Sequence, residues 1–280
     1  MHNRKANAQR FREQFTKRVV ELGLTVKLWD IETGMNRQYA FDIWNGTSHK
    51  TIEKERYIIC AAWQDVGKNY VSHVSVADDK RRFKKDPMDD YYVINVMYDY
   101  IAASDLLVAH YGDKFDLPMF NARAIYHGLP PLPLIPTVDT KAIASKKFRF
   151  NSNRLDALAR LFGYDPKINT EVSLWLDCMR GEESAVKDML TYNIQDIDVL
   201  FNVFCELAPY VPPKINMNLF SGDTSKPVCP VCGSTHVYGN GHRPNRTTIA
   251  HRMRCNTCGH SFIGENVRRS DGKVLRAPYR

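Results

Sequence analysis

Apolar residues follow helical spacing at the start of this chain and strand-like runs directly afterwards. Phe11, Phe15 and Val19 recur among Arg and Lys, which predicts an amphipathic basic helix over residues 4–23. Such a helix either packs on the next domain or contacts nucleic acid. Runs rich in β-forming residues then predict three strands, at 24–30, 56–63 and 70–76. The turn-prone residues between the last two runs indicate an antiparallel meander.

From residue 88 onward the pattern becomes an alternation of helix and strand. Apolar runs predict buried strands at 105–110 and ending at 137–139, whereas the prolines of 128–136 indicate a connecting loop. Strands followed by this alternation predict an α/β fold, a mixed sheet flanked by helices. The predicted helices cover 88–103, 117–127, 153–162 and 183–207.

The length and the breaks in the pattern predict one catalytic domain with a small appendage. A chain of 280 residues exceeds an ordinary single domain, and Pro212-Pro213 ends the last long helix. We therefore divide the chain into a basic amino-terminal segment (1–24), a main domain (25–212), and a linker with a small basic domain (213–280). Hydrophobic residues at 44% without a long apolar run, and a polar start, favour a cytoplasmic protein with no membrane association.

Charge is distributed unevenly along the chain. The net charge is +8, yet residues 221–280 hold ten basic against three acidic residues and residues 1–25 hold six against two, so the middle is slightly acidic. This pattern indicates ends that meet phosphate and a centre that concentrates carboxylates. Ordinary solvated surface charge is the alternative for the ends.

The seven cysteines do not form a disulfide framework. Three stand alone in apolar segments, where buried thiols are expected: Cys60, Cys178 and Cys205. The other four form two Cys-x-x-Cys pairs separated by 22 residues: Cys229, Cys232, Cys255 and Cys258. In a chain without an export signal, this spacing predicts one structural Zn²⁺ in a closed tetrahedral site, a zinc ribbon.

Acidic residues occur at three places where predicted elements begin or end. Asp30 and Glu32 are separated by one residue near the end of the first strand, so both point to one face. Asp116 follows a buried strand at the start of a helix, where it is either a ligand or a helix cap. Tyr192 and Asp196 are four residues apart on one face of the long helix. Each feature alone is common in proteins.

Taken together and in this order, the acids resemble the DEDD superfamily of 3′-to-5′ exonucleases, in its tyrosine variant. The resemblance spans roughly residues 25–210 and implies a ribonuclease H-like fold. The segments 39–44, 148–156 and 171–175 are similar to phage-encoded members, which also carry a carboxy-terminal zinc ribbon. One departure is Tyr111, where many relatives have Asn.

The resemblance implies two Mg²⁺ or Mn²⁺ ions and a separate role for each of the five residues. Asp30 would bridge both ions, Glu32 and Asp196 would complete one, and Asp116 would hold the other. Tyr192 would orient the attacking water, because a phenol with an ordinary pKa of about 10 is a poor base at neutral pH. The expected reaction is hydrolysis of phosphodiester bonds by two metal ions.

Nucleic-acid contacts are expected near the acids and in the ribbon. Near the acids we expect Tyr111, Phe115, Arg149 and Asn153 to hold the terminal nucleotide. In the ribbon we expect contacts from four arginines interleaved with Tyr238 and Phe262: Arg243, Arg246, Arg252 and Arg254. Docking on another replication protein is the competing use of the ribbon.

The sequence therefore favours an enzyme that trims 3′ ends of DNA, in preference to RNA. A phage origin would make it a proofreading or end-processing partner of a DNA polymerase or another replication protein in the host cytoplasm. A ribonuclease or a structure-specific endonuclease of the same fold is one alternative. A non-catalytic nucleic-acid-binding protein built around the zinc ribbon is another.

Overall fold

A computed structural model describes residues 4–40, 50–165, 171–220 and 226–275. Residues 41–44 of the segment used above lie outside these ranges. The helices are α1 (Arg4–Glu21), α2 (Lys80–Lys85), α3 (Tyr91–Ala102), α4 (Asp116–Tyr126), α5 (Thr140–Lys147), α6 (Leu155–Leu161), α7 (Val172–Arg180) and α8 (Glu183–Leu207). The strands are β1 (Val26–Thr33), β2 (Arg37–Ala40), β3 (Lys50–Lys54), β4 (Ile58–Asp65), β5 (Ser72–Ser75), β6 (Leu106–Ala109), β7 (Thr137–Asp139), β8 (Val237–Pro244), β9 (Ile249–Cys255) and β10 (Ser261–Asn266).

Five strands form a mixed sheet in the order β5-β4-β1-β6-β7. The pairs β1–β4 and β4–β5 are antiparallel, so the predicted meander is confirmed. The pairs β1–β6 and β6–β7 are parallel. The α/β class, with a mixed sheet flanked by helices, is as predicted, and β1 lies at its centre.

The sheet separates two apolar clusters, and β1 contributes to both. Val26 and Leu28 belong to the cluster that includes α1, α6 and the carboxy-terminal half of α8. Trp29 and Ile31 belong to the cluster that includes α3, α4 and the start of α8. Because side chains alternate along a strand, Asp30 and Glu32 lie on the same side of the sheet as Val26 and Leu28.

The first predicted strand ended too early. The strand β1 runs through Glu32 to Thr33, so both acids belong to the strand rather than to its tip. The short helices α2, α5 and α7 and the hairpin of β2 and β3 were not predicted. Thr140–Lys147 lacks a wide apolar stripe, and its start depends on the Asp139 carboxylate, which accepts a hydrogen bond from the backbone N of Ala142.

The amino-terminal helix packs against the main sheet domain. Phe11 and Phe15 stack on each other and both contact Phe204 of α8. This contact is the packing alternative considered for the basic helix. Cys229 and Val231 of the ribbon belong to the same buried cluster. The three-part division of the chain stays a proposal.

The three lone cysteines lie in the interior of the main domain. Cys60, Cys178 and Cys205 are buried free thiols, as predicted. Burial, with a smaller contribution from the nearby Asp177 charge, raises the pKa of Cys178 to about 12, which keeps the thiol protonated and unreactive. Among the residues placed in the structure, no helix is both long and apolar enough to cross a bilayer.

Candidate metal and catalytic site

The strand β1 and the helix α8 bring three carboxylates together. Asp30, Glu32 and Asp196 each offer an oxygen, and these oxygens all lie within 4.8 Å of one another. Asp196 is only 1% exposed, whereas Asp30 and Glu32 are partly exposed. The cluster therefore has a buried base and an open rim, which is the shape that a site for an incoming substrate requires.

The cluster has the charge and donor chemistry of a divalent cation site. Two carboxylates at this separation repel by about 3 kcal/mol at an effective dielectric constant of about 20. A cation between them relieves this repulsion. The three donors are hard oxygens, which suit Mg²⁺ or Mn²⁺ better than metals that prefer sulfur or imidazole. The residues present thus fit the ions that the resemblance implies.

Asp116 lies beside the cluster rather than within it. Its side chain is 3% exposed, and Oδ1 accepts a hydrogen bond of 3.3 Å from the backbone N of Ile31, between the two acids of β1. The residue that caps α4 is Phe115, so Asp116 is the first residue of the helix and not its cap. The structure therefore places Asp116 next to β1, close to where a second ion is expected.

The helix α8 supplies Tyr192 and a neighbour that the sequence analysis missed. Tyr192 is half-buried one turn before Asp196. Asn193 is fully buried, and its Nδ2 donates a hydrogen bond of 2.7 Å to Oδ2 of Asp30. It sits three residues before Asp196, and this spacing was the available signal. By binding one carboxylate oxygen of Asp30, Asn193 fixes the direction in which the other carboxylate oxygen of Asp30 points.

The turn before α4 contains a strained residue. Tyr111 has φ of 75°, and in the described ranges it is the sole non-glycine residue with positive φ. Its backbone N donates to Oδ1 of Asp139, and the Lys141 ammonium lies 3.7 Å from the centre of its ring. Asn tolerates this conformation better than Tyr does, so Tyr111 carries backbone strain that an Asn would reduce.

The Asp139 carboxylate therefore has two roles at this turn. It caps α5 through Ala142, and it also holds Tyr111 in place. His110 links the same turn to the loop before α6, with Nδ1 at 2.8 Å from Oγ1 of Thr140 and Nε2 at 3.0 Å from the carbonyl oxygen of Asn153. Tyr111 and Asn153 thus belong to one connected region.

Two other predicted contact residues lie on the surface near this region. Phe115 is partly buried, and the guanidinium of Arg56 lies 5.8 Å from its ring centre. Arg56 was not predicted, and nothing in the sequence places it near α4. Arg149 is exposed between Phe148 and Phe150, whose rings stack at 4.8 Å. Phe115 thus has a cation beside its ring, a combination suited to nucleotides.

The four ribbon cysteines form a second cluster. Their sulfur atoms lie within 4.8 Å of one another, and the two closest pairs are 3.7 Å apart. A tetrahedral Zn²⁺ with Zn–S bonds of about 2.3 Å requires sulfurs about 3.8 Å apart, so the spacing fits.

The surroundings of the cysteines support this geometry. Each Cys-x-x-Cys pair is followed by a glycine in the left-handed region, Gly233 with φ of 70° and Gly259 with φ of 76°. The glycines permit the tight turns that present two sulfurs each. His260 is engaged elsewhere, since its Nδ1 lies 2.8 Å from the carbonyl oxygen of Pro209. A histidine ligand is not needed.

Comparison with known families agrees with this architecture. The family described as RNase_H superfamily matches residues 64–208, just over half of the chain. The chain therefore belongs to the RNase_H superfamily. The matched range includes Asp116, Tyr192 and Asp196, whereas Asp30 and Glu32 lie before it.

One similar solved structure is a family B DNA polymerase from the hyperthermophilic archaeon Pyrobaculum calidifontis. The identity is 17% and the TM-score is 0.49, with 67% of this chain and 25% of the polymerase covered. The chain thus spans about a quarter of the length of that polymerase. No curated protein sequence matches the chain.

Proposed function

We propose that this protein is a divalent-metal-dependent 3′-to-5′ exonuclease that acts on DNA. The observation that carries the proposal is the convergence of Asp30, Glu32 and Asp196 within 4.8 Å, on a chain of the RNase_H superfamily. Asp116, bonded to β1 between the first two acids, completes the set. Four neighbouring carboxylates are otherwise costly for folding, because like charges repel.

The four carboxylates would hold two Mg²⁺ or Mn²⁺ ions, which activate water and stabilise the charge that develops on the phosphate. Asn193 keeps the Asp30 carboxylate in one orientation. Tyr192, one turn from Asp196 on α8, positions the attacking water through its hydroxyl. The phenol is assigned positioning rather than proton transfer because its ordinary pKa of about 10 makes it a weak base at neutral pH.

Residues around the Tyr111 turn would hold the terminal nucleotide. The exposed ring of Tyr111 and the ring of Phe115 provide stacking surfaces, and Arg149 provides a cation for phosphate. Asn153 provides hydrogen bonds. This arrangement suits the end of a nucleic-acid strand, which is the substrate of an exonuclease. The enzyme would work beside a DNA polymerase or another replication protein. The proposed setting is the cytoplasm, that of the host for a phage-encoded chain.

The decisive experiment is product analysis with end-labelled substrates. Single- and double-stranded DNA and RNA labelled at the 5′ end are incubated with the full chain and Mg²⁺ or Mn²⁺. We expect a ladder that shortens from the 3′ end of DNA, and no ladder with Asp30→Ala. A single internal cut would instead indicate an endonuclease, and preference for RNA would indicate a ribonuclease. Binding without cleavage by the wild type would favour the non-catalytic alternative.

Tyr192→Phe separates positioning from proton transfer in the same assay. Removal of the hydroxyl should slow the reaction less than removal of Asp30, because the metal ligands remain. A loss as complete as that of Asp30→Ala would show that the phenol transfers a proton directly.

A further inference from the structure

The ribbon sheet has two faces of different chemistry. Strand pairing places Tyr238 and Ser261 opposite Arg254, and Ile263 opposite Arg252. Residues paired across a sheet share a face, as do residues two apart on one strand. These five residues therefore form one surface, which we call the outer face. All five are exposed.

The opposite face of the ribbon is turned towards the protein. Met253 pairs with Phe262, and both are partly buried beside Pro227 and Val228. Cys255, two residues after Met253, belongs to the zinc cluster. Phe262 and Tyr238 therefore lie on opposite faces of the ribbon, so the two rings do not form one surface.

The outer face combines an accessible ring with two guanidinium groups. Tyr238 is 42% exposed, and Arg254 lies directly opposite it on β9. Arg252 donates a hydrogen bond of 2.6 Å through Nε to the carbonyl oxygen of Asn240, which orients its terminal NH groups.

Charge and position favour a polyanion on this face. Residues 226–275 contain eight basic and two acidic residues, so the ribbon stays positive even after four thiolates and one Zn²⁺ contribute −2. The ribbon joins the end of α8 through His260 and Pro209. Pro209 lies 13 residues after Asp196, a distance of about 20 Å along a helix.

We propose that the outer face binds single-stranded nucleic acid that leads into the carboxylate cleft, an inference that rests on the proposed function. Arg252 and Arg254 bind phosphates, and Tyr238 stacks on an unpaired base. A duplex keeps its bases stacked and offers no such base. The ribbon contact at Pro209 lies about 20 Å from Asp196, which corresponds to about six nucleotides at stacked spacing, so a strand must be at least this long to reach the ribbon from the carboxylates.

The test compares two pairs of arginines in the full chain. Arg252→Gln with Arg254→Gln changes the outer face, and Arg268→Gln with Arg269→Gln removes the same charge from exposed ribbon residues beyond β10. Both are made in the Asp30→Ala background so that labelled strands stay intact. Anisotropy with a single strand of about 20 nucleotides, at several salt concentrations without a chelator, measures the affinity.

The outer-face pair should lower the affinity at least about fivefold and reduce the salt slope by about 1.4, because two phosphates are no longer neutralised. Tyr238→Ala should lower it by a similar factor for single strands and less for duplex. The control pair should change neither quantity much. Equal losses for both pairs, or no loss for the outer-face pair, would overturn the proposal, and the latter result would favour protein docking.

Cleavage by the same variants in the wild-type background keeps the two proposals distinct. A trinucleotide is too short to reach the outer face, so its turnover should stay unchanged, while long strands should show a raised KM. If long strands bind the outer face but nothing is cleaved, the exonuclease proposal fails and this one stands. If cleavage occurs and the outer-face pair has no effect on long strands, this one fails alone. Zinc content and circular dichroism verify that each variant is folded.

Discussion

The two clusters of candidate metal ligands differ in how they relate to the fold. The carboxylates come from β1 and α8, two elements that are far apart in the sequence: Asn193 and Asp30, which contact each other, are separated by 163 residues. Large apolar clusters hold both elements in place. The cysteines come from two turns of a small sheet with little core of its own. A fold that exists without its ion can keep an open site, whereas a ribbon that depends on its ion needs a closed one. Loss of a ligand should therefore have opposite effects on stability in the two places.

The largest expected effect is on the ribbon. Cys255→Ser removes one of four zinc ligands, and structural zinc sites contribute on the order of 10 kcal/mol to the folding of small domains. We expect less than one zinc per chain, loss of ribbon structure and weak binding of long strands. Metal analysis, proteolysis after residue 213 and binding assays measure these effects.

Cys178→Ala is the matched control for this experiment. The residue is a buried cysteine in the main domain, so the control tests for a general effect of removing a thiol. It should lower the free energy of unfolding by about 1 kcal/mol and leave the zinc content at one per chain. Full zinc content and an ordered ribbon in Cys255→Ser would contradict the assignment of the four cysteines.

The second effect is on catalysis. Asp196→Asn removes one charge from the carboxylate cluster, so activity should fall about a thousandfold while the stability measured without divalent ions should stay equal or rise. Asp198→Asn, two residues along the same helix, is the control. Asp198 pairs with Arg12 at 3.6 Å and has a side chain 66% exposed, so its loss should change neither quantity. Unchanged activity in Asp196→Asn would refute the cluster as the active site.

The parts of the site that follow local periodicity were predictable from the sequence. Alternation along a strand put Asp30 and Glu32 on one face, and helical spacing put Tyr192 beside Asp196. The structure then brings Asp30, Glu32 and Asp196 together. Metal binding by these carboxylates stays a prediction.

The remaining parts depend on contacts between segments far apart in the chain. The spacing of Asn193 places it on the same side of α8 as Asp196, but its bond to Asp30 depends on how α8 packs on β1. The hydrogen bond between Asp139 and Tyr111 depends on how β6 and β7 align. The helix α5 and the hairpin of β2 and β3 were missed because neither has a strong apolar period. Local pattern does not encode such contacts.

The smallest expected effect concerns the turns beside the two clusters. Both sites adjoin left-handed backbone, but the cysteines use Gly233 and Gly259 where the carboxylate site uses Tyr111. Such a residue costs about 1 kcal/mol relative to one that tolerates the conformation. The carboxylate site thus stores strain that the zinc site avoids, and a ring at this turn is consistent with a binding role.

Tyr111→Asn tests this strain, with the nearby cation taken into account. The contact between the Tyr111 ring and Lys141 contributes about 0.5 kcal/mol, which Tyr111→Asn also removes. The stability gained by relieving the strain is therefore measured best in a Lys141→Met background. There we expect Tyr111→Asn to raise the free energy of unfolding by about 1 kcal/mol. In the wild-type background the gain should be roughly half as large. Tyr126→Asn, an exposed position in the helix α4, should give no gain. Chemical denaturation measures all three, and a loss of stability in both Tyr111 variants would show that the turn is not strained.

If the ring also stacks on the terminal nucleotide, Tyr111→Asn should raise KM more than it lowers kcat, because the metal ligands are untouched.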